Sequence, residues 1–358
     1  MPIFIGNSTV NTAVANSTLT VDQTQNFAYA TSNRNSIRPS LSLDFTRSQT
    51  VDPRITFARA SSATYFNSLG ALSTAANNVP RIDYNPITGV CNGLLIEQQS
   101  TNLLLNSASL STQSVTTSAT TYTLSFYGTG TVALSGTYTG SLVGTGAFPT
   151  RSTLSFTATA GTLTLTVTGT VSYAQLEALA FVTSYITTTG ASATRIVDQT
   201  SLTGTNFSSW YNTTNWTAIV TAVPAKIPNP SASVSQSIFE FRLDGGNRIL
   251  ARINTSSSVI TAYWINSLSL PSNGGGYATS ALTSNTAFKY GITASNGSWN
   301  LAFNGSVFIS AAAGYLITPT ELWMGYSPSD TLGFTGWIQR IAYYPVVLPN
   351  TELQTLTL

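Results

Sequence analysis

The sequence has no histidine, one cysteine and very little charge: Asp, Glu, Lys and Arg make up 7% of 358 residues, against roughly 25% in an average soluble protein. Each shortage removes a class of function. Cys91 has no partner for an intramolecular disulfide and no companions for a thiolate zinc site. It also lacks a histidine to activate it as a nucleophile, so it reads as a small buried or half-buried thiol. Lysine occurs only at Lys226 and Lys289, the arginines are scattered singly, and the net charge is +2. A nucleic-acid binder needs clustered cations to displace phosphate counterions, so nucleic acid is excluded as a partner. No apolar run approaches the roughly 18 residues of a spanning helix, which argues against membrane insertion. The opening MPIFIGNSTV has neither a basic start nor a long apolar stretch and is not expected to be a secretory signal. No clustered ligand set suggests a metal or other cofactor.

Helical patterning is also scarce. Two short candidates stand out: Tyr173 to Leu179, and Pro349 to Leu356 with Asn350 as a possible N-cap and Glu352 in the first turn. The rest alternates between apolar and hydroxylated residues. Leu41, Leu43 and Phe45 alternate with Ser42 and Asp44; Leu163, Leu165 and Val167 alternate with threonines. A period of two is the mark of strands with one face on a core. Hydrophobic residues reach 42%, enough for real cores. Thr, Ser and Asn supply the solvent face that charge does not, and threonine suits a pleated surface.

Four blocks follow along the chain. Residues 1–37 are polar, with scattered Val10, Val14, Leu19, Val21 and Phe27, and read as an extended arm that orders on a partner. Residues 38–105 form a connecting β block, with turns at Asn85-Pro86 and Thr88-Gly89. Residues 106–197 read as a small Thr-rich β-sandwich. Residues 198–358 contain clear hairpins, at Asp244-Gly245-Gly246, Asn296-Gly297 and Asn304-Gly305. The spacing predicts an all-β protein of tandem antiparallel sandwiches, ending in a jelly roll.

Three stretches carry a resemblance. RPSLSLDFTRSQTVDPRITFARASSATYFN, with PRIDYNPITG and GLLIEQQSTNLLLNS, resembles a block shared by bacteriophage tail-fibre and head-fibre proteins. TYTLSFYGTGTVALSGTYTGSLVGTG, with AQLEALAFVTSYITTTGASATR, is similar to the small carbohydrate-binding-module-like sandwich that follows that block. FTGWIQRIAYYPVVLPNTELQTLT resembles the close of concanavalin-A-like, laminin-G-like jelly rolls. The resemblance spans residues 38–358. It implies a virion protein of the particle surface, a homo-oligomer and by analogy a trimer, held to other virion proteins through the N-terminal arm. It also implies attachment to a host-surface glycan; the alternative is an architectural decoration, head-fibre or tail-collar role without a receptor.

For glycan binding, flat rings beside amides are the right chemistry. Tyr211, Asn212, Tyr263, Trp264, Asn266 and Trp299 are therefore the candidate ligand-binding residues. The competing reading is that these rings fill the core or its rims, as large aromatics usually do. No catalytic residue is assigned and no enzyme is expected. Glu240 and Asp244, with Arg242 between them, could form an acid pair across one strand face, but a solvated face with a surface ion pair is the simpler expectation. Asp244, Asn247 and Asp330 have no calcium-loop spacing. A tail depolymerase would be expected on a repetitive β-helix, and no fixed repeat occurs.

Overall fold

A computed structural model describes residues 37–227, 235–254, 260–266, 276–277, 282–295, 298–310, 316–329 and 332–358. The chain divides into two compact units, Met1–Pro39 and Ser40–Leu358, and the fold below is that of the second. The arm expected over residues 1–37 lies outside the described residues but for Ile37.

The protein is all-β, built as two antiparallel sandwiches. In the larger one, an eight-stranded sheet runs in the order Ser306–Ser310, Ser298–Phe303, Phe288–Ser295, Asn215–Pro224, Gly336–Tyr344, Cys91–Ile96, Ile82–Tyr84, with Leu41–Asp44 also paired to Gly336–Tyr344. Facing it, a seven-stranded sheet runs Thr56–Ala58, Gln199–Thr203, Glu321–Met324, Gln236–Asp244, Asn247–Ile253, Ile260–Asn266, Gly276–Tyr277. Leu41 and Leu43 are buried and Ser42 exposed, so the period-two pattern becomes a core face and a solvent face. One apolar core fills the space between the sheets, with Trp216, Phe241, Tyr343 and Trp299 at its centre. The helix Asn350–Thr357 covers the outer face of the first sheet through Leu353, against Ile219, Ala302 and Tyr344. The turn at Asn304-Gly305 has positive φ at both residues, 43° and 78°, as a tight two-residue hairpin requires. The Asn296-Gly297 turn lies outside the described residues.

The block at 38–105 does not stand apart. Its strands are three to six residues long and could not bury a core of their own. Leu41–Asp44 pairs with residues 340–343, and residues 94–96 with 336–338, so both extend the free side of the strand Gly336–Tyr344. Thr56–Ala58 extends the other sheet through Gln199–Thr203. The jelly-roll sandwich is thus completed by chain from both ends of the sequence.

The small sandwich is nested inside it. A four-stranded sheet (Gly140–Val143, Thr131–Gly136, Gly161–Thr168, Gln113–Thr117) packs on a three-stranded one (Gly146–Ala158, Thr120–Gly128, Ser172–Glu177) around Leu124, Phe126, Leu163, Leu165 and Leu176. Ser100–Asn102 pairs with Ala193–Arg195 and closes its neck. The stretch expected as a helix near Tyr173 is the strand Ser172–Glu177. Its residue types alternate for only four residues and both faces are buried: Ala174 and Leu176 meet the core, while Gln175 and Glu177 are buried in hydrogen bonds.

Candidate functional site

Where the two sandwiches meet, the chain buries a charge network. Arg59 reaches Asp198 at 3.0 Å, and Arg81 bridges Asp198 and Glu97, at 2.5 and 2.8 Å. Arg195 lies 3.4 Å from Glu97. All five side chains are 0–3% exposed. Glu97 sits just past the strand Cys91–Ile96, and its oxygens accept from the Ser184 amide (2.7 Å) and hydroxyl (2.6 Å), on the return segment of the small sandwich. Glu97 thus ties one sandwich to the other. Burial alone would raise its pKa, but Arg195, Arg81 and Ser184 hold it down to about 2.

Above this network is a cavity of about 240 Å³. Its walls come from the hairpin Ala63–Phe66/Leu72–Ala75 (Thr64, Tyr65, Phe66), from the small sandwich (Tyr127, Arg151 and residues 182–185) and from the first sheet (Asp83, Leu95, Trp337). Asp83, 4% exposed, accepts hydrogen bonds from the Phe66 amide, the Trp337 indole (2.8 Å) and the Asn92 side chain. Burial raises its pKa against those three donors. Arg151 donates to the Thr183 carbonyl (2.7 Å) and the Ser125 hydroxyl (2.8 Å), with its guanidinium over the Tyr127 ring. Its buried Nε has no acceptor among the described residues.

Two exposed rings lie against the aromatic side chains that line this cavity, put there by two irregularities on either side of one strand. On the edge strand Gly146–Ala158, Gly146 pairs with Gly128 and Arg151 with Tyr127, so residues 147–150 bulge out. On the other side Ser172 pairs with Tyr127 and Gln175 with Ser125, so Tyr173 and Ala174 together oppose Phe126. Bulges of this kind re-aim side chains, often beside functional sites. They present Phe148 and Tyr173, 37% and 36% exposed. Phe148 lies 5.6 Å from Phe66, 5.2 Å from Tyr127 and 6.2 Å from Tyr173, ring centre to ring centre. Tyr173 has φ of 49°, a conformation that costs a non-glycine residue about 1–3 kcal/mol and tends to persist where a side chain's placement matters.

The residues singled out from sequence are distributed differently. Trp299 is 1% exposed and belongs to the core. A ring without a free face cannot stack on a sugar, which takes it out of the ligand-binding set. Tyr211 is half-buried, stacked on Phe207 at 4.8 Å and packed against Phe241 and Tyr343, and burial pushes its phenol pKa well up. Asn212 is a structural staple: its amide donates to the Pro345 carbonyl, and its carbonyl accepts from Thr214. Tyr263, Trp264 and Asn266 lie on the strand Ile260–Asn266, opposite Leu250, Ile249 and Asn247; their side chains are outside the description. So the fold packs Tyr211 into the same core as Trp299 and sets Trp264 in the opposite sheet. Glu240 is fully buried, 3.6–3.7 Å from Arg248 and Arg242, and not solvated as expected, because its strand is central to its sheet. Asp244 instead caps the hairpin turn through Gly246 and Asn247. Asp330 lies outside the described residues, and among these no group of three metal-ligating side chains occurs.

The rim was missed because its rings lie in the Thr-rich block, away from the Trp-containing segments. One signal was available: in GAFPTRSTLSF the alternation holds from Arg151 onward but breaks at Phe148-Pro149, as it does at a bulge.

No protein-family model matches this chain, and no curated protein matches it. Among solved structures, the CBM40 of Ruminococcus gnavus IT-sialidase, bound to α2,3-sialyllactose, is similar over 42% of this chain and 87% of that one, at 14% identity and a TM-score of 0.35. The leech intramolecular trans-sialidase matches 41% of this chain and 23% of its own (15% identity, TM-score 0.33). The NanB sialidase of Streptococcus pneumoniae matches 43% and 26% (12% identity, TM-score 0.36). At these scores the likeness carries no argument, and the fold rests on the strand registers above.

Proposed function

We propose that this chain is a glycan-binding attachment protein of a bacteriophage appendage, tail fibre or head fibre, and that the seam between its sandwiches is the binding face. The observation that carries the glycan reading is the pair of bulges that set Phe148 against Phe66 and Tyr127, and Tyr173 against Phe148 and Tyr185, beside the cavity that Phe66, Tyr127 and Tyr185 line. An exposed ring can take the apolar face of a pyranose, and the cavity offers hydrogen-bonding groups to a neighbouring hydroxyl or substituent. The virion setting is supported by the sequence resemblance over residues 38–358. By that resemblance the chain would act as a homo-oligomer, a trimer by analogy, with its N-terminal arm on other virion proteins. Many copies would turn a weak single site into firm adhesion through effective concentration.

We read the site as binding rather than cleaving. A glycosidase needs one carboxylic acid and one carboxylate free to reach the scissile bond. Asp83 and Glu97 both line the cavity and their pKa values are pushed in opposite directions, which favours the enzymatic alternative. Their oxygens, however, are already engaged by Phe66, Asn92, Trp337, Ser184 and Arg81.

The test is adsorption of the purified chain to host cells, wild type against a Phe148→Ala/Tyr173→Ala double variant, with released reducing ends assayed in parallel. Binding lost in a variant that still folds supports the reading. Binding that survives the double change moves the site elsewhere. Absence of binding to any envelope fraction favours an architectural role, and reducing-end release favours an enzyme.

A further inference from the structure

The polar groups of the cavity are unevenly matched, and the inference drawn from this rests on the glycan-binding reading above. Its carboxylates and threonine hydroxyls are committed. Asp83 takes three donors, Glu97 takes Ser184 and two arginines, and the Thr64 and Thr183 hydroxyls donate to the Tyr185 carbonyl and to Glu177. Arg151 is different. Arg59, Arg81 and Arg195 each have a carboxylate within ion-pairing distance. Arg151 has only a carbonyl and a hydroxyl and no carboxylate among the described residues; its buried Nε, like those of Arg81 and Arg195, has no acceptor there. It is half-buried and lines the cavity directly behind the Phe148 bulge. A guanidinium offers five donors in a planar fork and two of them are engaged, so what Arg151 lacks is a counter-ion for its remaining donors.

We infer that the glycan bound at the seam carries a carboxylate, as a uronic or other acidic sugar does, and that Arg151 is the residue that selects it. The carboxylate supplies the counter-ion Arg151 lacks, through charge-assisted hydrogen bonds, while the sugar ring rests on Phe148 or Tyr173. A neutral sugar of the same shape fills the cavity and leaves the cation unpaired.

The experiment uses the full chain and a panel of bacterial surface polysaccharides. Each is presented as isolated and again after chemical reduction of its carboxylates to alcohols. The expected result is binding to acidic members that falls about 10- to 100-fold on reduction, the range for hydrogen bonds to a charged group. Binding of the wild type to acidic members should also weaken as salt is raised. Arg151→Gln should erase the preference for the unreduced form; Arg151→Lys, which keeps the charge and loses the fork, should retain part of it. Binding that is unchanged by reduction, or confined to neutral members, overturns the inference and leaves the glycan reading intact. Failure to bind any member overturns the glycan reading itself. The wild-type salt and reduction series decides the matter even if both Arg151 variants fail to fold.

Discussion

Replacing Asp198 by Asn tests whether the buried charges hold the two sandwiches together. The Asp198 carboxylate is fully buried and accepts from Arg59 (3.0 Å), Arg81 and the Glu97 amide (2.9 Å). Among the described residues Arg59, Arg81 and Arg195 face only Glu97 and Asp198 within ion-pairing distance, so the cluster already holds one excess positive charge. Asn has nearly the same shape but raises that excess to two, and its amide NH2 turns toward a guanidinium. Breaking a buried ion pair by removing one partner costs about 3–5 kcal/mol, because the remaining charge stays desolvated. That is a large part of the total stability of a domain. The assay is urea unfolding followed by tryptophan fluorescence, with proteolysis of the native protein as a second probe. All the tryptophans lie in the larger sandwich's part of the sequence, while the cuts expected after neck opening fall within residues 100–195. A loss under about 1 kcal/mol with unchanged proteolysis would refute the reasoning and mean that the network is hydrated and relaxed.

Glu97 gives a pH prediction. Its folded pKa is depressed from 4.5 to about 2, so the stability it contributes is present above pH 4.5 and is lost as pH falls towards 2; at about 1.4 kcal/mol per tenfold change in proton affinity, this amounts to about 3 kcal/mol. Urea midpoints for wild type and Glu97→Gln should therefore converge at low pH, and a constant gap would count against it. Asp83, with its pKa raised, works in the opposite sense: its contribution is present below pH 3.8 and is lost as pH rises through its folded pKa. Trp299→Ala should cost about 3–5 kcal/mol, as a large buried ring does, with unfolding and not adsorption as the primary loss. Phe148→Ala, at a ring 37% exposed, should change stability far less than Trp299→Ala while reducing adsorption. Gly128→Ala should disrupt the rim, since φ is +128° and the added Cβ would collide with the Thr170 carbonyl; its signature is a lower melting temperature together with lost binding.

The fold was legible where one strand face is buried and the other wet. Leu41–Asp44 and Gly161–Thr168 show that alternation in their exposure. It failed where both faces are buried. In Ser172–Glu177 apolar Ala174 and Leu176 alternate with polar Gln175 and Glu177 over only four residues, all of them buried, and a run that short is not distinguished from a helical turn. The pairing of the strands in residues 38–105 was illegible for a different reason. Nothing local in Leu41–Asp44 or Cys91–Ile96 indicates that their hydrogen bonds go to residues 336–343, because strand pairing across 240 or more positions has no sequence period.

The candidate site was illegible for a related reason. The runs that carry the family resemblance place Arg59 in ARASSAT, Arg81 in PRIDY and Glu97 in LLIEQQ, and these three join in the buried network beneath the cavity. A buried guanidinium must meet its acceptors in a fixed fork geometry, so it restricts the residue types around it more tightly than an exposed ring does. The resemblance therefore reports how the sandwiches are joined. The rings that would meet a ligand, Phe148 and Tyr173, lie in the inserted sandwich, where neither alternation nor motif marks them and only the bulges do. It follows that a chain with the same buried network and a different rim should keep this architecture and bind a different surface, so exchanging residues 146–150 and 172–174 should alter adsorption while leaving the unfolding transition of the larger sandwich in place.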